Sequence, residues 1–171
     1  MISIGFGYDI HRLRTGKKLY LGGVEIPHPA GLVGHSDGDC LIHAIMDALL
    51  GALDEPDIGR LFPDTDPAYR HIRSTLLLTR VMSRLRKKRK EILKIDTVVV
   101  AEKPRLAPHV DRMKATLSPL LGVSPNRIGI KAKTNEGMGI IGRGQAIACW
   151  AVALVGEKKK HCSLSGLAPS T

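Results

Sequence analysis

Aromatic side chains are scarce in this sequence, with one Trp, three Tyr and two Phe among 171 residues. So few rings leave little from which to build a stacking platform for bases, which counts against a reader of single-stranded nucleic acid. No apolar run approaches the roughly 20 residues that a membrane span requires. The opening MISIGFGYDIHRL has no basic segment followed by an apolar one, and no leader rich in Ser and Arg. It therefore reads as neither a secretory nor a transit signal, and a cytoplasmic location without a membrane partner is the expectation. Cysteine is sparse and odd in number. Cys40, Cys149 and Cys162 show no C-x-x-C spacing, which argues against a disulfide scaffold or a zinc ribbon. Cys40 and Cys149 lie in apolar segments and read as small core residues, whereas Cys162 reads as a free thiol in a polar tail. No internal repeat or linker divides the chain, so one domain is expected, over residues 1–157, followed by a basic, flexible tail at 158–171.

What is present is an ordinary globular composition, 43% hydrophobic with a mean hydropathy of −0.01. The formal charge of +10 asks for a partner of negative charge, and its distribution matters more than its sum. Arg80, Arg84, Arg86, Lys87, Lys88, Arg89, Lys90 and Lys94 fall in one stretch and Lys158, Lys159 and Lys160 in another. A solvated helix end and a tail account for both runs, and a nucleic-acid partner is the disfavoured alternative.

Ile2, Ile4, Phe6, Tyr8 and Ile10 recur at every second position, the pattern of a strand. A hairpin follows, Leu19 to Leu21 and Val24 to Ile26 around Gly22-Gly23, and then a loop, HPAGLVGHSDGD. Leu41, Ile42, Ile45, Leu49 and Leu53 form the buried stripe of a helix over about 38–53, with Ser36 or Asp37 placed to cap it. A polar loop leads to a second helix over 74–90, then a buried strand over 96–101, a third helix over 108–121 ended by Gly122, and strands at 128–132 and 146–155. Strands interleaved with helices predict an α/β (α+β) domain: a mixed four-stranded sheet plus a small hairpin, packed against helices.

Asp9 and His11 stand two apart on the first strand, so their side chains share a face, where two polar groups interrupt an apolar pattern. A carboxylate beside an imidazole supplies two ligands of a zinc-type site. His43, one helical turn from both Asp39 and Asp47, would make a third, leaving an open position of the kind catalytic sites keep. Asp47 or Asp39 could orient its ring. A D-x-H pair alone is commonly a satisfied surface pair, and a lone His43 fits a hydrogen-bonded core histidine equally well. The density of Asp9, His11, His35, Asp37, Asp39, His43 and Asp47 favours the metal, because such carboxylates repel unless a cation offsets them. In KAKTNEGMGIIGRG, glycines 137, 139, 142 and 144 permit close approach of backbone to a ligand. Lys131, Lys133, Thr134 and Arg143 could contact phosphate, and Glu136 could hold a hard cation. A structural turn explains that loop as readily, and it fits neither the Walker pattern nor the dinucleotide fingerprint.

Taken together, GYDIHRL, LGGVEIP, GLVGHSDGDCLIHAIMDALLGAL, DIGRLFPDTDP, AEKPRLAPH and IKAKTNEGMGIIGRGQAIAC resemble the 2-C-methyl-D-erythritol 2,4-cyclodiphosphate synthases of the non-mevalonate isoprenoid route. The likeness runs in order from about Gly5 to Val155. It implies a homotrimer with an active site at each subunit boundary, and a phosphorus–oxygen lyase acting on a CDP-linked small molecule, 4-diphosphocytidyl-2-C-methyl-D-erythritol 2-phosphate. The 2-phosphate would attack the β-phosphorus and expel CMP. The resemblance implies Zn2+ on Asp9, His11 and His43, and Mg2+ or Mn2+ on Glu136 with the substrate diphosphate. His35 and Thr134 match the positions that place and polarise the phosphates, and Asp57 the one that holds the methylerythritol hydroxyls. His35 and Ser36 match a mobile loop over the substrate. Further substrate contacts implied are Asp9, His11, Ile58, Gly59, Phe62, Pro63, Asp64, Thr65 and Asp66. Ala101, Pro104, Arg105, Leu106, Ala107, Lys133 and Thr134 match a cytidine pocket donated by a neighbouring subunit, with Asn135, Glu136, Ile140 and Arg143 beside it.

Some positions depart from the family pattern. Gln145 stands where glutamate is frequent opposite Arg143, which bears on anion binding along the trimer axis, and Lys133 replaces a frequent threonine. None of these touches the metal set. A competing class is a basic nucleotide- or RNA-binding protein with a structural metal, which a steep salt dependence of RNA binding would mark. Phosphoryl transfer on a different CDP-alcohol would use the same residues.

Overall fold

The computed structural model describes residues 1–158. Cys162 and all but the first residue of the expected tail lie outside them. In chain order the elements are β1 (Ile2–Thr15), β2 (Leu19–Leu21), β3 (Val24–Ile26), β4 (Ala30–Leu32), α1 (Cys40–Ala52), α2 (Ile58–Leu61), α3 (Ser74–Lys87), β5 (Lys90–Val100), α4 (Val110–Leu121), β6 (Ile128–Lys133), α5 (Gly139–Gly142) and β7 (Ala146–Glu157). The main sheet has the order β4-β1-β7-β5-β6, parallel only between β5 and β6, and β2-β3 forms a separate two-stranded sheet. This is the mixed α/β single domain expected, with one correction: the sheet has five strands. The fifth is β4, a segment of three residues paired to the end of β1 (Leu13 with Leu32), too short to show a period.

Helix α1 is apolar on nearly every side and is buried on nearly every side. It packs along β1 at Gly5 and Gly7, where a Cβ would fall 1.8 Å from the Ala48 carbonyl oxygen and 2.0 Å from that of Ala44. Asp39, not Ser36 or Asp37, caps this helix: its carboxylate accepts from Ile42 N at 3.1 Å. The same carboxylate accepts from Gly22 N and Gly23 N at 2.9 and 2.7 Å, tying the β2–β3 turn to the helix start. Those two glycines take φ of 59° and 78°, a left-handed pair that suits a tight two-residue hairpin.

The second helix ends at Lys87, three residues earlier than expected, because Arg89 takes φ 53° and turns the chain into β5. β5 accordingly begins at Lys90 rather than at 96, with a bulge between Ile92 and Lys94. Part of the basic run is paired, Arg84 and Lys88 to Glu55 and Lys90 to Glu157. Gly122 ends α4 in the left-handed conformation, as expected.

Helices α1, α3 and α4 pack on one side of the sheet, and Cys40 and Cys149 meet in that core with sulfurs 2.9 Å apart. The alternating apolar row of β1 is not part of it. Ile2, Ile4, Phe6 and Tyr8 are 65%, 69%, 64% and 44% exposed on the opposite face, with Val152 of β7 beside them. Asp9 and His11 therefore do not interrupt an apolar row; they continue the row of Gly5 and Gly7.

The contact of α1 with β1 predicts opposite outcomes for two glycines. Gly5→Ala should lower the unfolding free energy by about 3 kcal/mol, since backbone must move to admit the methyl. Gly51→Ala, in α1, would meet nothing nearer than 3.8 Å. It should be neutral or raise stability by up to about 1 kcal/mol through helix propensity. Urea unfolding at one fixed protein concentration distinguishes them.

Candidate active site

Asp9 and His11 leave β1 on the face that α1 covers, and His43 comes down from the first turn of α1 to meet them. One carboxylate oxygen, Asp9 Oδ2, lies 2.9 Å from His11 Nε2 and 2.9 Å from His43 Nδ1. The two nitrogens are 3.1 Å apart. Three donors at such spacing approach the edge of a tetrahedron around a cation bonded at about 2.0–2.1 Å, for which the edge is roughly 3.3 Å. The outer nitrogens are occupied. His11 Nδ1 donates to the Val33 carbonyl at 2.8 Å, which leaves Nε2 with its lone pair turned inward. His43 Nε2 lies 2.9 Å from Ser74 Oγ and 3.1 Å from Ser36 Oγ. This donor set, two imidazole nitrogens and one carboxylate oxygen with a side open to a cavity, fits a divalent cation.

Burial works to raise the Asp9 carboxyl, but the His11 and His43 imidazoles, each 2.9 Å from it, outweigh that and hold it well below the usual carboxylate range. Burial likewise works against a charged His11, and the Asp9 carboxylate reverses that, raising His11 above 6.5.

The triad lines a cavity of about 380 Å³ with His35, Ser36, Ile58, Gly59, Phe62 and Asp64, all of them expected, and with Tyr69 and Leu77, which were not. His35 sits on a loop laced to its neighbour: His71 N donates to the His35 carbonyl at 2.8 Å. Asp57 caps α2 through Arg60 N at 2.9 Å and borders an adjacent cavity of about 270 Å³ that Asp47 shares. Pro63, Thr65 and Asp66 belong to the following turn, where Asp66 accepts from Ala68 N. Neither Asp47 nor Asp39 orients His43, contrary to expectation. Asp47 accepts from Ile58 N at 2.9 Å, and Asp39 is spent on its three backbone donors. Ser74, which the sequence reading missed, takes that place; its partners His43 and Asp37 are 31 and 37 residues away, and no local pattern links them.

A second cavity, about 530 Å³, gathers Ala101, Pro104, Arg105, Leu106, Ala107, Lys133 and Thr134 from the end of β5, the loop after it and the end of β6. Beyond it Thr134 Oγ1 donates to Glu136 Oε1 at 2.8 Å, and Asn135 N donates to Glu102 at 3.3 Å. Glu136 takes φ 49° at the turn into α5, which carries Ile140; Arg143 follows the helix directly. Gln145 anchors this segment, its carbonyl accepting from Leu13 N at 2.8 Å. Among the described residues, none borders both this cavity and that of the triad. Within one chain the two halves of the expected site are not brought together.

Residues 2–156 match the model of the YgbB family. A 2-C-methyl-D-erythritol 2,4-cyclodiphosphate synthase of Dehalococcoides mccartyi (strain CBDB1) is 53% identical over 157 residues, 92% of this chain and 100% of the relative. A bifunctional enzyme IspD/IspF of Desulforudis audaxviator (strain MP104C) is 56% identical over 152 residues, 89% of this chain; that stretch is 39% of the longer protein. Among solved structures, a 2C-methyl-D-erythritol-2,4-cyclodiphosphate synthase in a form bound to CDP superposes with a TM-score of 0.83 at 40% identity, covering 90% of this chain and 99% of that one.

The triad predicts a measurable affinity. In competition with a chromophoric chelator, His43→Ala should weaken Zn2+ binding by at least about 100-fold, since one ligand of three is lost. Wild-type affinity should fall as pH drops through the range in which His11, raised from its ordinary value, takes up its proton, because protonated His11 has no lone pair to give. An affinity that stays flat across that range would remove His11 from the ligand set.

Proposed function

Because the chain belongs to the YgbB family, that of the 2-C-methyl-D-erythritol 2,4-cyclodiphosphate synthases, we propose that it closes the cyclic diphosphate of 4-diphosphocytidyl-2-C-methyl-D-erythritol 2-phosphate by attack of the 2-phosphate on the β-phosphorus, releasing CMP. The observation that carries this reading is the convergence of Asp9, His11 and His43 within 3.1 Å of one another, at the edge of a cavity that also holds His35.

Two phosphates that react must first be forced together against their charge, so the chain's task is positioning and neutralisation. A zinc-type cation at the triad, with magnesium or manganese at Glu136, would supply positive charge to the phosphate oxygens. His35 and Thr134 polarise and place those oxygens, Asp57 holds the methylerythritol hydroxyls, and Lys133 lends a fixed charge beside the nucleotide. The 101–107 segment closes around cytidine, in a cavity within the size range of small-molecule sites. No general base is required, because the attacking phosphate oxygen is already ionised.

The separation of the two cavities supports a homotrimer in which one subunit's triad faces its neighbour's 101–107 and 133–136 segments. So does the outer face of the sheet, where Ile2, Ile4, Phe6, Tyr8 and Val152 expose more apolar surface than a sheet facing water keeps.

Metal-free protein should release no CMP, and restoring the divalent cations should restore the reaction. His43→Ala and Glu136→Ala should each lose at least about 100-fold in kcat/KM. Mixing the two inactive variants and allowing subunits to exchange should recover about one quarter of wild-type activity, because one boundary in four then carries both intact halves. A mixture that stays inactive after proven exchange would place each site within a single chain.

A further inference from the structure

Behind His43 lies a buried chain of polar atoms that the reaction itself does not employ. Ser74, at the start of α3, is fully buried, and its hydroxyl sits 2.9 Å from His43 Nε2. The same hydroxyl makes a very short contact with Asp37 Oδ1. The Asp37 side chain is only 6% exposed, and its other oxygen accepts from Ser74 N at 3.1 Å and faces Arg73 Nε at 3.1 Å. Arg73 is itself fixed, stacked 4.0 Å over the Tyr20 ring and donating to the Gly23 carbonyl.

We propose that Asp37 and Ser74 form a positioning relay that holds His43 in the tautomer able to bind a divalent cation. Counting protons gives the direction. The Asp37 carboxylate can only accept, so the single hydroxyl proton of Ser74 goes to it. The lone pairs of Ser74 Oγ are then turned to His43 Nε2, 2.9 Å away and nearer than its other neighbour Ser36 Oγ at 3.4 Å, and the ring's proton on Nε2 satisfies them. Ser36 Oγ, 3.1 Å from Nε2, shares that proton as a second acceptor. With Nε2–H fixed, Nδ1 keeps its lone pair, and Nδ1 is the atom 2.9 Å from Asp9 and 3.1 Å from His11 Nε2. Without the relay the competing tautomer, Nδ1–H donating to Asp9 Oδ2, would occupy the very position the cation needs. The arrangement is a carboxylate–histidine–metal triad lengthened by one hydroxyl. Capping alone explains the bond from Ser74 N to Asp37, which satisfies the first turn of α3, but it does not explain why the hydroxyl is aimed at the imidazole.

This inference rests on the metal reading of Asp9, His11 and His43, and the test separates the two. Dissociation constants for Zn2+ are measured by chelator competition, with the visible spectrum of Co2+-loaded protein as a second readout. The set is wild type, Ser74→Ala, Ser74→Thr, Asp37→Asn and His43→Ala, with metal-free unfolding midpoints for each. Ser74→Ala should bind Zn2+ about 10- to 100-fold more weakly and shift the Co2+ bands, as lost outer partners of metal ligands do. Ser74→Thr, which keeps the hydroxyl, should recover most of that loss, and Asp37→Asn, which keeps an acceptor but no charge, should lose about tenfold. Ser74→Ala within twofold of wild type, or Ser74→Thr as weak as Ser74→Ala at an unchanged midpoint, overturns the relay. Should Ser74→Ala fail to fold, Asp37→Asn decides: affinity and Co2+ spectrum like wild type overturn it. His43→Ala as tight as wild type would instead sink the metal site itself.

Discussion

Helix α1 lies on β1 at a distance that admits no Cβ at Gly5 or Gly7, with the Ala48 and Ala44 carbonyl oxygens standing where those atoms would go. Two residues along a strand advance about 6.6 Å and four along a helix about 6.0 Å, so the two elements stay nearly in step. Continuing the pairing of Gly5 with Ala48 and Gly7 with Ala44 brings Asp9 to Cys40, in the first turn of α1, and His11 just past the helix start. His43 reaches both, 2.9 Å from Asp9 and 3.1 Å from His11. The triad is thus placed by backbone contact between two regular elements, not by a loop. Asp39 secures the same end of the helix to the β2–β3 turn, so the first turn of α1 is held from two directions.

The one-sided cover of the sheet follows from the same contact. With glycines, Asp9 and His11 on the covered row of β1, every large apolar residue of the strand's first half is left on the other row. That face of Ile4, Phe6 and Tyr8, joined to β7 by the Tyr8–Trp150 ring pair at 5.1 Å, has no cover among the described residues. In the proposed trimer, one association would both cover that face and join the two cavities, which share no lining residue within the chain.

How far the sequence could be read depended on whether the signal was local. Alternation marked β1 as a strand but not which of its rows was covered, because a row of glycines carries no hydropathy signal. That row is the packing surface for α1. β4 escaped because three residues cannot show a period, and the start of β5 because Lys90, Glu91 and Lys94 look like a helix end until Arg89 turns the chain. The triad was legible through the spacing of Asp9 and His11 and the HSDGD segment before His43. The orientation of His43 was not: carboxylates one turn away were the obvious partners, and both proved committed to backbone N–H groups. Ser74 could be found only once three distant segments were folded together.

Proton and cation are alternative occupants of the triad, and the direction of each shift says where one gives way to the other. Asp9 is lowered from 3.8, so its contribution to folding is present above that value and is lost only as pH falls through the lower folded one. His11 is raised from 6.5, so its contribution is complete below that value and is lost as pH rises through the higher folded one. Between the two, the metal-free site is held by a carboxylate shared with protonated imidazole. As pH rises and that proton leaves, the same nitrogen would be free to hold a cation, which would supply the positive charge that Asp9 has lost. The geometry need hardly change, since donors already 2.9–3.1 Å apart have little further to open. A triad built this way is preformed for the proposed cation because the protonated site holds the same geometry without it.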